Sequence, residues 1–164
     1  MWIRMIAFGL AMAAPIGAQA ADRVVDVSSV DGVAALMREA GYKAEIKKGK
    51  DGSGYIQSGV NGGDFQVFFY GGKEDKGCDS FEFYSFFKKE PFFSAEMANE
   101  WNVGKRFLKV AIDKEGDLSE YVYVSALGNM TYANFKDYIE WYASMDSDLA
   151  SFIKQKRAAA GGNG

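Results

Sequence analysis

The chain has 164 residues, 48% of them hydrophobic and 15% aromatic, enough for one domain with a core of its own and too much for a disordered segment. A net charge of −3 argues against the clustered basic face that nucleic acid demands. With no histidine and one cysteine, Cys78, the sequence excludes Ser-His-Asp and Cys-His catalysis, histidine or multi-thiolate zinc sites, iron–sulfur clusters and any intramolecular disulfide.

The first twenty residues, "MWIRMIAFGLAMAAPIGAQA", carry Arg4, an apolar run from Met5 to Ala14, a helix-breaking Pro15 and the small-x-small triplet Ala18-Gln19-Ala20. That is the pattern of a secretory signal cleaved after Ala20, and it predicts a periplasmic or secreted protein. The run is shorter than the about 20 residues of a membrane-spanning helix, an uncleaved anchor being the alternative. After cleavage no integral membrane segment is expected.

Residues 21–28 read as a lead-in. Ser28 or Ser29 caps a helix to about Ala40, with Val30, Val33, Ala34 and Met37 on one face and Gly41 as its stop. From Tyr42 the period becomes two: "YKAEIKK", "YIQSGV", "DFQVFFY" and "CDSFEFYSFF" predict four strands, with Asn61-Gly62-Gly63 as a hairpin signal. Pro91 closes that series. Ser94 caps a second helix, "AEMANEWNV", with Gly104 expected to supply a left-handed turn after it. "KRFLKVAID" and "LSEYVYVSA" form a hairpin across "KEGD", and Thr131 opens a long amphipathic helix to about Lys156. Residues 29–156 thus form the domain, and the tail from residue 157 to 164 is expected to be disordered. Strands grouped between helices predict an α+β fold of a single domain. It has an antiparallel sheet with helices packed on one face, in the order α-β-β-β-β-α-β-β-α.

No segment assembles a catalytic constellation, and no cofactor or metal site is implied. "DKEGD", Asp113 to Asp117, has its glycine at the fourth position between two strand-like runs, so it reads as a turn rather than a calcium loop. The glycine-rich pieces match neither phosphate-binding pattern. Cys78 is either a buried small hydrophobe or a free thiol able to pair between chains. The aromatic load is the stronger signal. Phe65, Val67 and Phe69 share one side of their strand, with Phe68 and Tyr70 on the other. Phe81, Phe83 and Phe87 oppose Tyr84 and Phe86 in the next. A sheet covered by helices on one face needs only one apolar face. The second, formed by Phe68, Tyr70, Tyr84, Phe86, Tyr121 and Tyr123, is a candidate partner face, or a surface whose rings simply tolerate water.

"NEWNVGKRF" is the least generic stretch. Asn99, Trp101, Asn102, Gly104, Arg106 and Phe107 read either as a recognition cluster or, more economically, as a joint anchoring the short helix to the sheet. On these residues, the opening "GVAALMREAGY" helix, the acidic turn before Leu118 and the final helix with Trp141, the chain resembles the YbjN family over about Ser29 to Ile153. These proteins are labelled bacterial sensory transduction regulators. The resemblance implies a fold like that of type III secretion chaperones, no catalytic residues and no cofactor. It also implies binding of a protein or peptide, commonly as a homodimer. Exported members often carry a second cysteine near Cys78; here that region reads Gly71-Gly72, so an oxidised form would be intermolecular. The expected function is therefore a non-enzymatic, chaperone-like regulatory module of the envelope or of stress signalling. The rival is a small-molecule or lipid carrier with an apolar pocket between the sheet and the last helix.

Overall fold

The computed structural model describes residues 23–161; the expected signal segment and its cleavage site lie outside them. The chain enters through a two-residue strand β1 (Val24–Val25) and passes into α1 (Val30–Glu39). The Ser29 hydroxyl caps this helix by accepting from the Gly32 N–H at 3.1 Å. Its apolar spacing buries Val30, Val33, Ala34, Leu36 and Met37 on one side. The Arg38 guanidinium donates to the Ala44 carbonyl and so fixes the exit.

Strands β2 (Glu45–Lys48), β3 (Gly54–Val60), β4 (Gly63–Tyr70) and β5 (Ser80–Phe87) form an antiparallel meander. Asn61 (φ 51°) and Gly62 (φ 84°) both adopt left-handed conformations, the two-residue turn whose twist matches the flanking strands. Helix α2 (Ala95–Gly104), capped by Ser94, then carries the chain to β6 (Lys109–Ile112). β7 (Leu118–Ser125) returns next to β5, giving the order β2-β3-β4-β5-β7-β6. β8 (Met130–Thr131) pairs with β1 in a separate two-stranded ribbon. The lead-in therefore contains a strand that two residues are too short to announce by periodicity.

Helix α3 (Tyr132–Ala159), capped by Thr131, crosses the sheet. It buries Phe135, Ile139, Tyr142, Met145, Leu149 and Ile153 in one cluster with Phe65, Val67, Phe81, Phe83, Val122 and Val124 of the sheet and with the buried side of α1. The Tyr142 ring lies 4.9 Å from Phe65 and 5.3 Å from Phe83. Each such ring, fully withdrawn from water, contributes about 2–3 kcal/mol. The protein is thus α+β, with a six-stranded antiparallel sheet and its helices on one face. α3 runs past its expected end at Lys156, through residues read as tail, because Arg157 pairs with Glu90 and holds the last turn down. Among the described residues no helix is long and apolar enough to cross a membrane.

Candidate functional site

Strand alternation and the register of β4, β5 and β7 place Phe68, Tyr70, Tyr84, Phe86, Tyr121 and Tyr123 together on the sheet face opposite the helices. Phe68 lies 5.7 Å from Tyr84 and 5.6 Å from Tyr55 of β3, and Tyr84 lies 6.4 Å from Phe86. The rings of Tyr55, Phe68, Tyr84 and Phe86 therefore touch as one strip across β3, β4 and β5. Two of the phenols are anchored: the Tyr70 hydroxyl donates to Glu82, and the Tyr84 and Ser119 hydroxyls share a 3.2 Å bond. Burial, followed by the Glu82 carboxylate, raises the Tyr70 pKa, so it stays a neutral donor. Lys88 sits 4.7 Å from the Phe86 ring centre at one end of the strip. Tyr123, 62% exposed, stands beside the strip on β7. This surface is aromatic, and the register places the Glu82 carboxylate on it beside these rings.

The "NEWNVGKRF" residues do something else. Trp101 is buried and its Nε1–H donates to the Leu108 carbonyl at 3.1 Å, while its ring packs 5.5 Å from Phe152 of α3. The Asn102 amide donates to the Val110 carbonyl and accepts from the Val110 N–H, both at 2.9 Å. A side-chain amide thereby takes the place of a neighbouring strand along the free edge of β6. Trp101 and Asn102 are a joint between α2, β6 and α3. Asn99 is exposed and Arg106 lies over the Phe107 ring at 5.4 Å, so the motif does not close into a polar cluster. Gly104 is not the left-handed stop expected of it. It is the last helical residue, and the chain leaves through an extended Lys105 (φ −126°, ψ 136°) into the short bend that leads to β6, whose edge Asn102 grips.

Sequence reasoning missed Glu120. Alternation in "LSEYVYV" puts it on the same side as Leu118 and Val122, which is the signal that could have found it. It lies fully buried under α3, where its Oε1 accepts from the Tyr142 hydroxyl at 2.9 Å and its Oε2 has no hydrogen-bond partner. Desolvation, then the nearby Asp146 charge, raises its pKa to about 8, so at neutral pH the carboxyl is mainly protonated. Asp146 in turn accepts from the Asn61 amide of the β3–β4 turn at 2.7 Å. Held between the sheet and α3, this carboxyl couples its protonation to the stability of the fold.

Cys78 is 4% exposed, its N–H bonded to the Ser28 carbonyl, and burial followed by Asp75, Asp79 and Asp26 raises its thiol pKa. Pairing between chains would require the β4–β5 loop to open. The cleft beside it, about 430 Å³, is lined by Lys48, Asp51, Ser53 and Asp75, and Asp75 is engaged by Lys48 and the Gly54 N–H. The "DKEGD" segment is a turn closed on itself: Asp113 accepts from the Glu115 and Asp117 N–H groups, and Asp117 pairs with Lys88 at 2.9 Å.

Together these features define a class: an α+β module with helices on one face of a six-stranded antiparallel sheet and an aromatic surface on the other. More particularly, the chain belongs to the YbjN family, whose model, described as "Putative bacterial sensory transduction regulator", matches residues 29–154. Membership supports a regulatory role. Comparison with curated proteins found no match.

Proposed function

We propose that the protein is a non-enzymatic, chaperone-like regulatory module of the exported compartment that engages a protein or peptide through its helix-free aromatic face, with a second copy of the chain as one candidate partner. The observation that carries this reading is the contiguous strip Tyr55–Phe68–Tyr84–Phe86, ring against ring on a face that no helix among the described residues covers. Aromatic side chains with anchored polar ends lose little entropy on contact and dominate recognition surfaces. The signal pattern of the first twenty residues supports export to the periplasm or beyond, and the family description supports a regulatory role, which in an exported protein we assign to envelope or stress signalling. The carrier reading has less behind it, since Phe65, Phe83 and Tyr142 fill the layer between the sheet and α3 where its pocket would lie.

The test is site-specific photocrosslinking in the envelope from position 86 or 123, with the exposed Lys154 position on α3 as control. Crosslinks to a discrete species, or to a second copy, are expected from the sheet face alone. Equal yields from all three positions would overturn the proposal. Native mass spectrometry addresses the carrier: a small mass retained through gentle purification would favour it.

A further inference from the structure

β6 pairs with β7 only from Leu118 to Tyr121, whereas β7 continues to Ser125, paired on its other side with β5. Val110 gives both its backbone groups to Asn102, so it faces away from β7, and its register partner Glu120 faces away from β6. Alternation then turns Ser119 and Tyr121 toward β6, and Tyr123 and Ser125 toward the space beyond its first residue. Among the described residues no backbone group meets those of Tyr123 and Ser125 there. The other exposed stretch of the same sheet side, β6 itself, is the part that Asn102 and Trp101 close.

This short open edge borders a cleft of about 250 Å³ on the helix side of the sheet. Val122 forms its floor, Phe107 and Trp141 form a wall with ring centres 5.0 Å apart, and Asn134, Asp137 and Tyr138 line the α3 side. On the opposite face of the sheet Tyr123 stands at the edge, and its register partner Glu82 lies one strand further in, on β5, where it accepts from the Tyr70 hydroxyl. Cations are near but engaged: Arg106 lies over the Phe107 ring and Lys136 pairs with Glu140 at 3.2 Å. Asp137 has no ion-pair partner among the described residues.

Resting on the peptide-binding reading above, we infer that the β7 edge at Tyr123–Ser125 is a strand-addition site for an extended peptide segment that alternates apolar and basic residues. An added strand pairs with the exposed N–H and C=O groups and so places successive side chains on opposite faces of the sheet. One set enters the Phe107–Trp141 cleft. The other lies over Tyr123, where a lysine or arginine gains cation–π contact and its long stem extends toward the Glu82 carboxylate one strand further in. A helical ligand could not use the open backbone groups, and an acidic one would meet Asp137 and Glu82.

The experiment uses the chain without its first twenty residues and a fluorescein-labelled peptide, Gly-Lys-Val-Arg-Phe-Lys-Val-Gly, followed by anisotropy and by amide hydrogen exchange. Saturable binding is expected, with slowed exchange at the Tyr123 and Ser125 amides. Methylating alternate peptide amides should weaken binding by about tenfold or more on the pairing register and little on the other. Exchanging Lys and Arg for Glu, or making Tyr123→Ser, should weaken it by about tenfold as well. No saturable binding up to about 1 mM, indifference to methylation in both registers, or unchanged exchange at Tyr123 would overturn the inference. So would a dimer in light scattering whose Tyr123 amide is already protected, since the edge would then belong to a second copy. Binding that ignores methylation but is lost in Phe68→Ser would leave the aromatic-face reading standing while sinking the edge. The converse result would locate binding at the edge alone.

Discussion

Glu120 is the residue whose chemistry departs furthest from the ordinary. In the unfolded chain its carboxyl titrates near 4.5; in the fold it is raised to about 8. The folded state therefore keeps a proton that the unfolded state has released. The associated stability is full below pH 4.5, declines as pH rises, and is exhausted by about pH 8, beyond which both states are ionised. The loss over that window amounts to a few kcal/mol, at about 1.4 kcal/mol per pH unit. The facing groups are Tyr142 and Asp146 of α3, and neither supplies a positive charge. Urea titrations should show wild-type stability falling from pH 5 to pH 8 with most of that slope absent in Glu120→Gln, which keeps the shape and an acceptor for Tyr142. A slope unchanged in the Gln variant would assign the effect to another group.

At the scale of elements, α2 serves as the clamp on an edge strand. β6 has four residues, and an uncapped strand of that length would offer both its own frayed end and a template for other chains. Asn102→Ala leaves the Val110 N–H and C=O without their partner and should cost about 1–2 kcal/mol in chemical denaturation, with faster amide exchange across β6. Trp101→Ala removes the ring packed on Phe152 and should cost about 3 kcal/mol, lowering the melting temperature markedly. A stable Trp101→Ala protein that had lost its partner would instead make the motif a recognition site. By contrast Arg157→Ala, which breaks a half-exposed ion pair with Glu90, should change stability by no more than about 1 kcal/mol.

For the molecule as a whole, one continuous core joins α1, the sheet and α3, so unfolding should be a single cooperative transition. Cys78 provides a probe of it. Buried and held as the thiol, it should react with maleimide only as fast as the structure opens, and labelling should accelerate with urea in step with the loss of native circular dichroism. Rapid labelling of the native protein would mean that the β4–β5 loop opens by itself. On the acid side, Asp117 is held low by Lys88 and then the Lys89 N–H, and Asp75 by Lys48 and then the Gly54 N–H. Their lowered folded-state pKa values contribute stability that is present above the ordinary carboxylate range and lost as pH falls through it. With Glu120 acting in the opposite sense, maximum stability is expected near pH 5.

Much of this was legible in the chain itself. Serine and threonine caps, the Asn61-Gly62 turn and the helical spacing of the last segment are local signals, and they specified the elements and their order. Strict alternation assigned Phe68, Tyr70, Tyr84, Phe86, Tyr121 and Tyr123 to one face because a side chain's face depends only on its parity within a strand. Tertiary structure alone decided that β7, not β6, pairs with β5, that Asn102 closes the β6 edge, and that α3 seals Glu120 from water. Each of these depends on which distant segments become neighbours, and a hydrogen bond or a desolvated charge across such a contact leaves no period in the sequence. The expected left-handed turn at Gly104 failed for that reason: the pull of the β6 edge on Asn102 outweighed the local habit of glycine.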